Sequence, residues 1–138
     1  MVRVCVISAV LVTLLGAAPP ARAETVERTI EVGGTTRRYL IHAPAGWDGV
    51  RPLPVLFVFH GAGSDAESMV RATGFDALAD ASPMLVVYPR APAGVLRYDV
   101  DPPAGRVSAD VLLVDALLAR MRARFPLEPD SEASVVLA

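Results

Sequence analysis

Pro52 to Ser68, reading PLPVLFVFHGAGSDAES, constrains the fold more than any other stretch of this chain. Val55, Leu56, Phe57, Val58 and Phe59 form an unbroken apolar run without polar alternation. Such a run suits a strand buried on both faces, as in a parallel sheet covered by helices. It stops at His60-Gly61-Ala62-Gly63, and Ser64 with Glu67 then reads as a capping box. The Ser64 side chain is expected to accept from the Glu67 N–H while the Glu67 carboxylate reaches back to the Ser64 N–H. Strand, glycine-bearing turn and helix start thus fall within about a dozen residues, the geometry in which α/β proteins place sites at the carboxyl ends of strands.

The 138 residues allow one globular domain at most, and the N-terminus is not expected to belong to it. Arg3 followed by apolar Val4 to Ala18, then Ala21-Arg22-Ala23, has the form of a secretory signal cut after Ala23. The apolar run breaks at Gly16 and Pro19-Pro20, short of the roughly 20 residues of a membrane-spanning helix. Residues 1–23 are therefore expected to be a cleaved leader, and residues 24–138 a secreted, extracellular portion with no stable membrane association. Cys5 leaves with that leader, so no disulfide framework can support the remainder. Without Arg3 and Arg22 the 13 basic residues fall to 11 against 15 acidic ones, a net charge of −4. All the basic residues are arginine, no basic stripe is visible and aromatics are few, so nucleic-acid binding is not expected.

Thr25 to Val32 alternates Val26, Ile30 and Val32 with Glu27 and Glu31, as a half-buried strand does. Gly33-Gly34 is a two-residue hairpin signal, and Thr36 to Ala43 resumes as the second strand, with Tyr39 and Ile41 on one face and Arg38, Leu40 and His42 on the other. Pro44 to Gly49 reads as a surface turn, with Trp47 packed over the hairpin. Helical pieces are predicted over Asp65 to Ala72 and Phe75 to Ala81, interrupted at Thr73-Gly74, and a doubly buried strand over Met84 to Tyr88. Arg90 to Val107 is a long loop, of a length that in compact domains is functional or disordered. Ser108 is the predicted N-cap of a further helix, with Asp110 in its first turn. Val111, Val114, Leu118, Met121 and Phe125 mark its buried face, and Pro126 ends it. Ser134 to Leu137 reads as the start of a fifth strand.

The ordered set TRRYLIHAP, LPVLFVFHGAG, TGFDALAD, MLVVYPRAP and DVLLVDALLARMRARFPLEPD resembles the opening of secreted α/β-hydrolase esterases of the polyhydroxybutyrate depolymerase and feruloyl esterase type, over nearly all of residues 36–130. The fold implied is a truncated α/β-hydrolase fold: an N-terminal antiparallel hairpin leading into a mostly parallel sheet flanked by helices. The third and fifth strands would be neighbours in it. The resemblance places an oxyanion-stabilising turn at Gly61, Ala62 and Gly63, with His60 as its brace. Backbone N–H groups fixed in advance at such a turn stabilise negative charge developing on a carbonyl oxygen without reorganisation.

The same resemblance calls for a serine in G-x-S-x-G just after the fifth strand, followed by an acid and a histidine base. None of Ser8, Ser64, Ser68, Ser82, Ser108, Ser131 or Ser134 has that glycine frame. His60 precedes any nucleophile, and mid-strand His42 reads as a satisfied or surface histidine. No catalytic triad member is therefore assigned, no metal-ligand spacing is present, and no cofactor is expected. With Lys absent, a P-loop is excluded.

The expected function is the N-terminal portion of a serine esterase acting on polyester or acylated-sugar substrates, inactive as these 138 residues alone. The alternatives are a secreted non-catalytic binding module on the same sheet, or part of a related peptidase or dienelactone-hydrolase-like enzyme. Exposed strand and helix faces are expected to leave residues 24–138, made alone, poorly soluble or partly molten.

Overall fold

In a computed structural model the described residues are 23–92, 98–99 and 102–129, with 134–137 described by their backbone. The expected leader, residues 1–23, lies outside them apart from Ala23, as does part of the loop between Arg90 and Val107. Among the described residues no helix is long and apolar enough to cross a membrane.

Strands β1 (Glu24–Val32) and β2 (Thr35–Ala43) pair antiparallel across Gly33 and Gly34. Both glycines have positive φ, 57° and 78°, as a two-residue turn matched to the strand twist requires. Strand β3 (Val55–Phe59) leads into helices α1 (Ala66–Thr73) and α2 (Phe75–Ala81), then strand β4 (Leu85–Pro89), helix α3 (Ala109–Arg124) and strand β5 (Ser134–Leu137). The five strands form one sheet in the order β1-β2-β4-β3-β5. β2 meets β4 antiparallel, while β3 runs parallel to both β4 and β5. This is the α/β-hydrolase arrangement, and the third and fifth strands are neighbours in it, as expected.

The helices lie on opposite faces because the connections run in opposite directions. From β3 the chain moves towards β2 to reach β4; from β4 it returns past β3 to β5. Right-handed crossovers then place α1 and α2 on one side and α3 on the other. Two apolar clusters result. Ile30, Tyr39, Ile41, Val55, Phe57, Leu85 and Val87 pack with Leu113, Leu117 and Met121 of α3. Leu40, Val58, Val86 and Tyr88 pack with Ala66 and Met69 of α1 and Ala79 of α2. β3 and β4 contribute to both clusters, which accounts for their unbroken apolar runs.

Three local readings change. Helix α1 is capped by Asp65, whose carboxylate accepts the Ser68 N–H at 2.7 Å. Ser64 instead closes the preceding turn, donating its N–H to Gly61 O at 3.1 Å, and Glu67 pairs with Arg90. On α3 the buried residues are Asp110, Leu113, Leu117 and Met121, whereas Val111 is exposed and Val114 and Leu118 sit at the margin. Asp110 explains the rotation: its carboxylate reaches inward to Arg37 at 2.5 Å, and the positions three, seven and eleven residues on share its face. Ser108 does cap this helix, accepting the Asp110 N–H at 3.1 Å. Trp47 packs against Phe125, with ring centroids 5.8 Å apart, and its Nε1–H donates to Arg51 O. Its partner is thus the end of α3, brought close by Leu53, which exchanges backbone hydrogen bonds with Pro126 and Glu128.

Candidate functional site

The turn after β3 stands where three strands of one polarity end together. β3 passes directly into His60, and Ala91 follows β4. The register Phe59↔Leu137 brings the end of β5 level with the end of β3.

Gly61 O accepts the Ser64 N–H at 3.1 Å and faces His60 Nδ1 at 3.0 Å. His60 is 5% exposed, and its Nε2 accepts the Ala91 N–H at 3.3 Å. With Nε2 accepting, Nδ1 carries the hydrogen and donates to Gly61 O; the tautomer follows from the partners. The imidazole thus ties the first carbonyl of the turn to the segment leaving β4. Gly63, at φ 83°, takes the third turn position, where a side chain would be strained. Ala62 and Gly63 are exposed, and among the described residues neither of their N–H groups has a protein acceptor. The turn therefore has one carbonyl engaged twice and two amides unused.

Neighbouring groups hold it from both sides. The Tyr98 ring lies 4.7 Å from that of His60 and edge-on to Phe59 at 5.3 Å, and its hydroxyl donates to Pro89 O at 2.7 Å. Burial pushes the Tyr98 phenol well above its ordinary range, so it remains a donor. Beyond the turn, Arg90 pairs with Glu67 in the first turn of α1 and with Glu27 of β1 at 2.9 Å. The Arg90 N–H donates to Arg38 O, and the Arg90 carbonyl accepts from the Arg37 guanidinium at 2.9 Å. Hydrogen bonds from the Ser68 side chain and then its N–H hold the Asp65 carboxyl below its usual range. Asp65, Arg90 and Tyr98 were not singled out from the sequence. Asp65 was legible one residue from the chosen cap, whereas Arg90–Glu67 and Tyr98–His60 join residues too far apart in sequence for any local pattern to reveal.

His42 lies apart from this turn, on the face covered by α1 and α2, and is 4% exposed. Its Nε2 is 3.1 Å from Asp80 Oδ1 and its Nδ1 is 2.9 Å from Thr25 Oγ1, whose hydroxyl donates to Asp76. It is a satisfied histidine, not a surface one.

No protein-family model matches the chain. Over 71 residues it is 39% identical to NocK of Nocardia uniformis subsp. tsuyamanensis, a protein named provisionally as an esterase; the match covers 51% of this chain and 21% of NocK. Among solved structures it superposes on a ferulic acid esterase with a TM-score of 0.67 at 14% identity, covering 84% of this chain and 49% of that one. An acetyl xylan esterase from Aspergillus awamori gives 0.65 at 12%, covering 82% and 42%. FphF of Staphylococcus aureus, a fluorophosphonate-binding serine hydrolase, gives 0.62 at 15%, covering 78% and 44%. At these identities the structures establish the α/β-hydrolase fold, and the chain spans half or less of the length of each of these four proteins.

Proposed function

We propose that this chain is the N-terminal portion of a secreted serine esterase, and that Gly61, Ala62 and Gly63 form its oxyanion turn with His60 as the brace. The observation that carries the reading is the pair of exposed amides at Ala62 and Gly63, left without protein acceptors among the described residues while Gly61 O is engaged twice. Donors fixed in this way meet the charge that develops on a carbonyl oxygen when a serine attacks, and they need no rearrangement to do so. The attacking serine would follow β5, whose end lies beside His60. It would form an acyl-enzyme that water then hydrolyses.

The sequence resemblance supports a polyhydroxybutyrate depolymerase or feruloyl esterase type, hence polyester or acylated-sugar substrates, and the Arg3 to Ala23 pattern supports export with cleavage after Ala23. None of the serines in these 138 residues has the glycine frame of a nucleophile elbow, so the chain alone is expected to turn over no short-chain aryl ester.

Translation of the gene beyond codon 138 is the direct test. The reading expects a glycine-framed serine at once, then an Asp and a His. In that longer protein Ala62→Pro, which deletes the amide hydrogen, should lower kcat by about 10²–10³ with KM little changed. Downstream sequence with no such serine, or an unaltered kcat in the variant, overturns the proposal.

A further inference from the structure

At the rim of the sheet opposite the turn, a groove of about 420 Å³ runs between the start of β1, the end of β2 and the C-terminal half of α3. Its volume falls within the range of small-molecule sites. Val26, Ile41 and Phe125 give it an apolar floor, and Arg28, Arg120 and Arg124 stand around it. Among the described residues none of these three guanidiniums is paired with a carboxylate; Arg28 donates only to the carbonyl of Glu27. Glu24 is the one acidic residue lining the groove, in a chain whose acidic residues outnumber its basic ones by 15 to 13. Glu27 is engaged elsewhere, with Arg38 and Arg90.

We infer that this groove binds an amphiphilic anion, an alkyl carboxylate whose chain lies on the apolar floor and whose head group meets the arginines. Charge complementarity selects the head group, because three unpaired guanidiniums around one carboxylate leave an excess of planar donors matched to a carboxylate. The apolar floor selects the tail. The inference stands independently of the turn after β3, since the two features lie at opposite rims.

Trp47, the single tryptophan, provides the readout through its contact with Phe125 in the groove wall. Sodium decanoate, kept below micelle-forming concentrations, is titrated into the 138-residue chain while Trp47 emission is followed. A saturable change is expected, weakened by added salt through screening of the head group. The double variant Arg120→Gln/Arg124→Gln should bind at least about tenfold more weakly, as expected for loss of charged hydrogen-bond donors. Both sites are at the surface, and circular dichroism of the variant should match the parent. Equal binding of decanol would overturn the inference by removing any need for the anion. Displacement of decanoate by a short oligoglutamate that binds as tightly would overturn it by removing any need for the tail. A change that does not saturate, or full affinity in the double variant, would do the same.

Discussion

On the face of the sheet covered by α3, Leu113, Leu117 and Met121 are fully buried against β1 to β4, and among the described residues the buried ion pair there is Arg37–Asp110, with Ser108 beside it. On the face covered by α1 and α2 the buried helix residues are Ala66, Met69 and Ala79, two of them alanines. A fully buried Leu or Met contributes about 1.5–3 kcal/mol, and an alanine far less. The short helices are held instead by directional bonds. Tyr88 donates to Asp76 at 2.5 Å, Thr25 donates to Asp76, His42 bridges towards Asp76 and Asp80, and Asp80 accepts the Ala45 N–H at 2.9 Å. A 16-residue helix can rely on area; helices of eight and seven residues cannot, and polar contacts take over.

The largest test of this contrast lies on the apolar face. Asp110→Ala would leave the Arg37 guanidinium, 4% exposed, without its carboxylate and would free the Asp99 N–H that Asp110 now accepts. Breaking a buried pair from one side costs about 3–5 kcal/mol, read as a lower midpoint in urea denaturation. A loss below about 1 kcal/mol would mean that this face is secured by apolar area alone. On the other face, Tyr88→Phe removes a single buried hydroxyl donor to a carboxylate. The expected loss is about 1.5–3 kcal/mol, with amide exchange accelerated first in α2. Burial, then the hydrogen bond to Asp76, pushes the Tyr88 phenol well above its ordinary range, so it stays protonated and donates. Uniform acceleration across both helical faces would break the comparison.

The sheet was legible because its signals are local and periodic. The runs Val55 to Phe59 and Met84 to Tyr88 are apolar on consecutive positions, and Gly33-Gly34 marks the hairpin between two alternating segments. The α3 face was misread because Asp110, a residue that sequence reasoning sends to water, is drawn inward by Arg37, 73 positions earlier. The site was legible as a turn but not as a fastening, since His60–Ala91 and Arg90–Glu67 close over 31 and 23 residues. The cap was misplaced by one residue because Ser64 and Asp65 are both good caps and only the turn hydrogen bond to Gly61 O separates them. Substituting each in turn sharpens this: Asp65→Ala should fray the first turn of α1, seen as faster exchange of the Ser68 amide, while Ser64→Ala should leave that amide unchanged. The opposite result would return the cap to Ser64.

The smallest effect expected is a pH dependence confined to the polar face. The Ala45 N–H, and after it His42, hold the Asp80 carboxyl below its ordinary value of 3.8. A carboxyl lowered in the folded state binds protons less readily there than in the unfolded chain. Its contribution is therefore fully present above about pH 3.8 and is lost as the pH falls through the lower folded value. Asp80 is about one-third exposed, so solvent screening keeps the contribution small, and the signal is better sought locally than in global stability. The Ala45 amide resonance should titrate in step with loss of this bond in acid, together with exchange in α2. Asp80→Asn should abolish both changes, since the amide oxygen still accepts from Ala45 but does not titrate in this range. If the Ala45 amide stays fixed through the acid range in the parent chain, or exchange rises first in α3, the polar network is not what holds the short helices to the sheet.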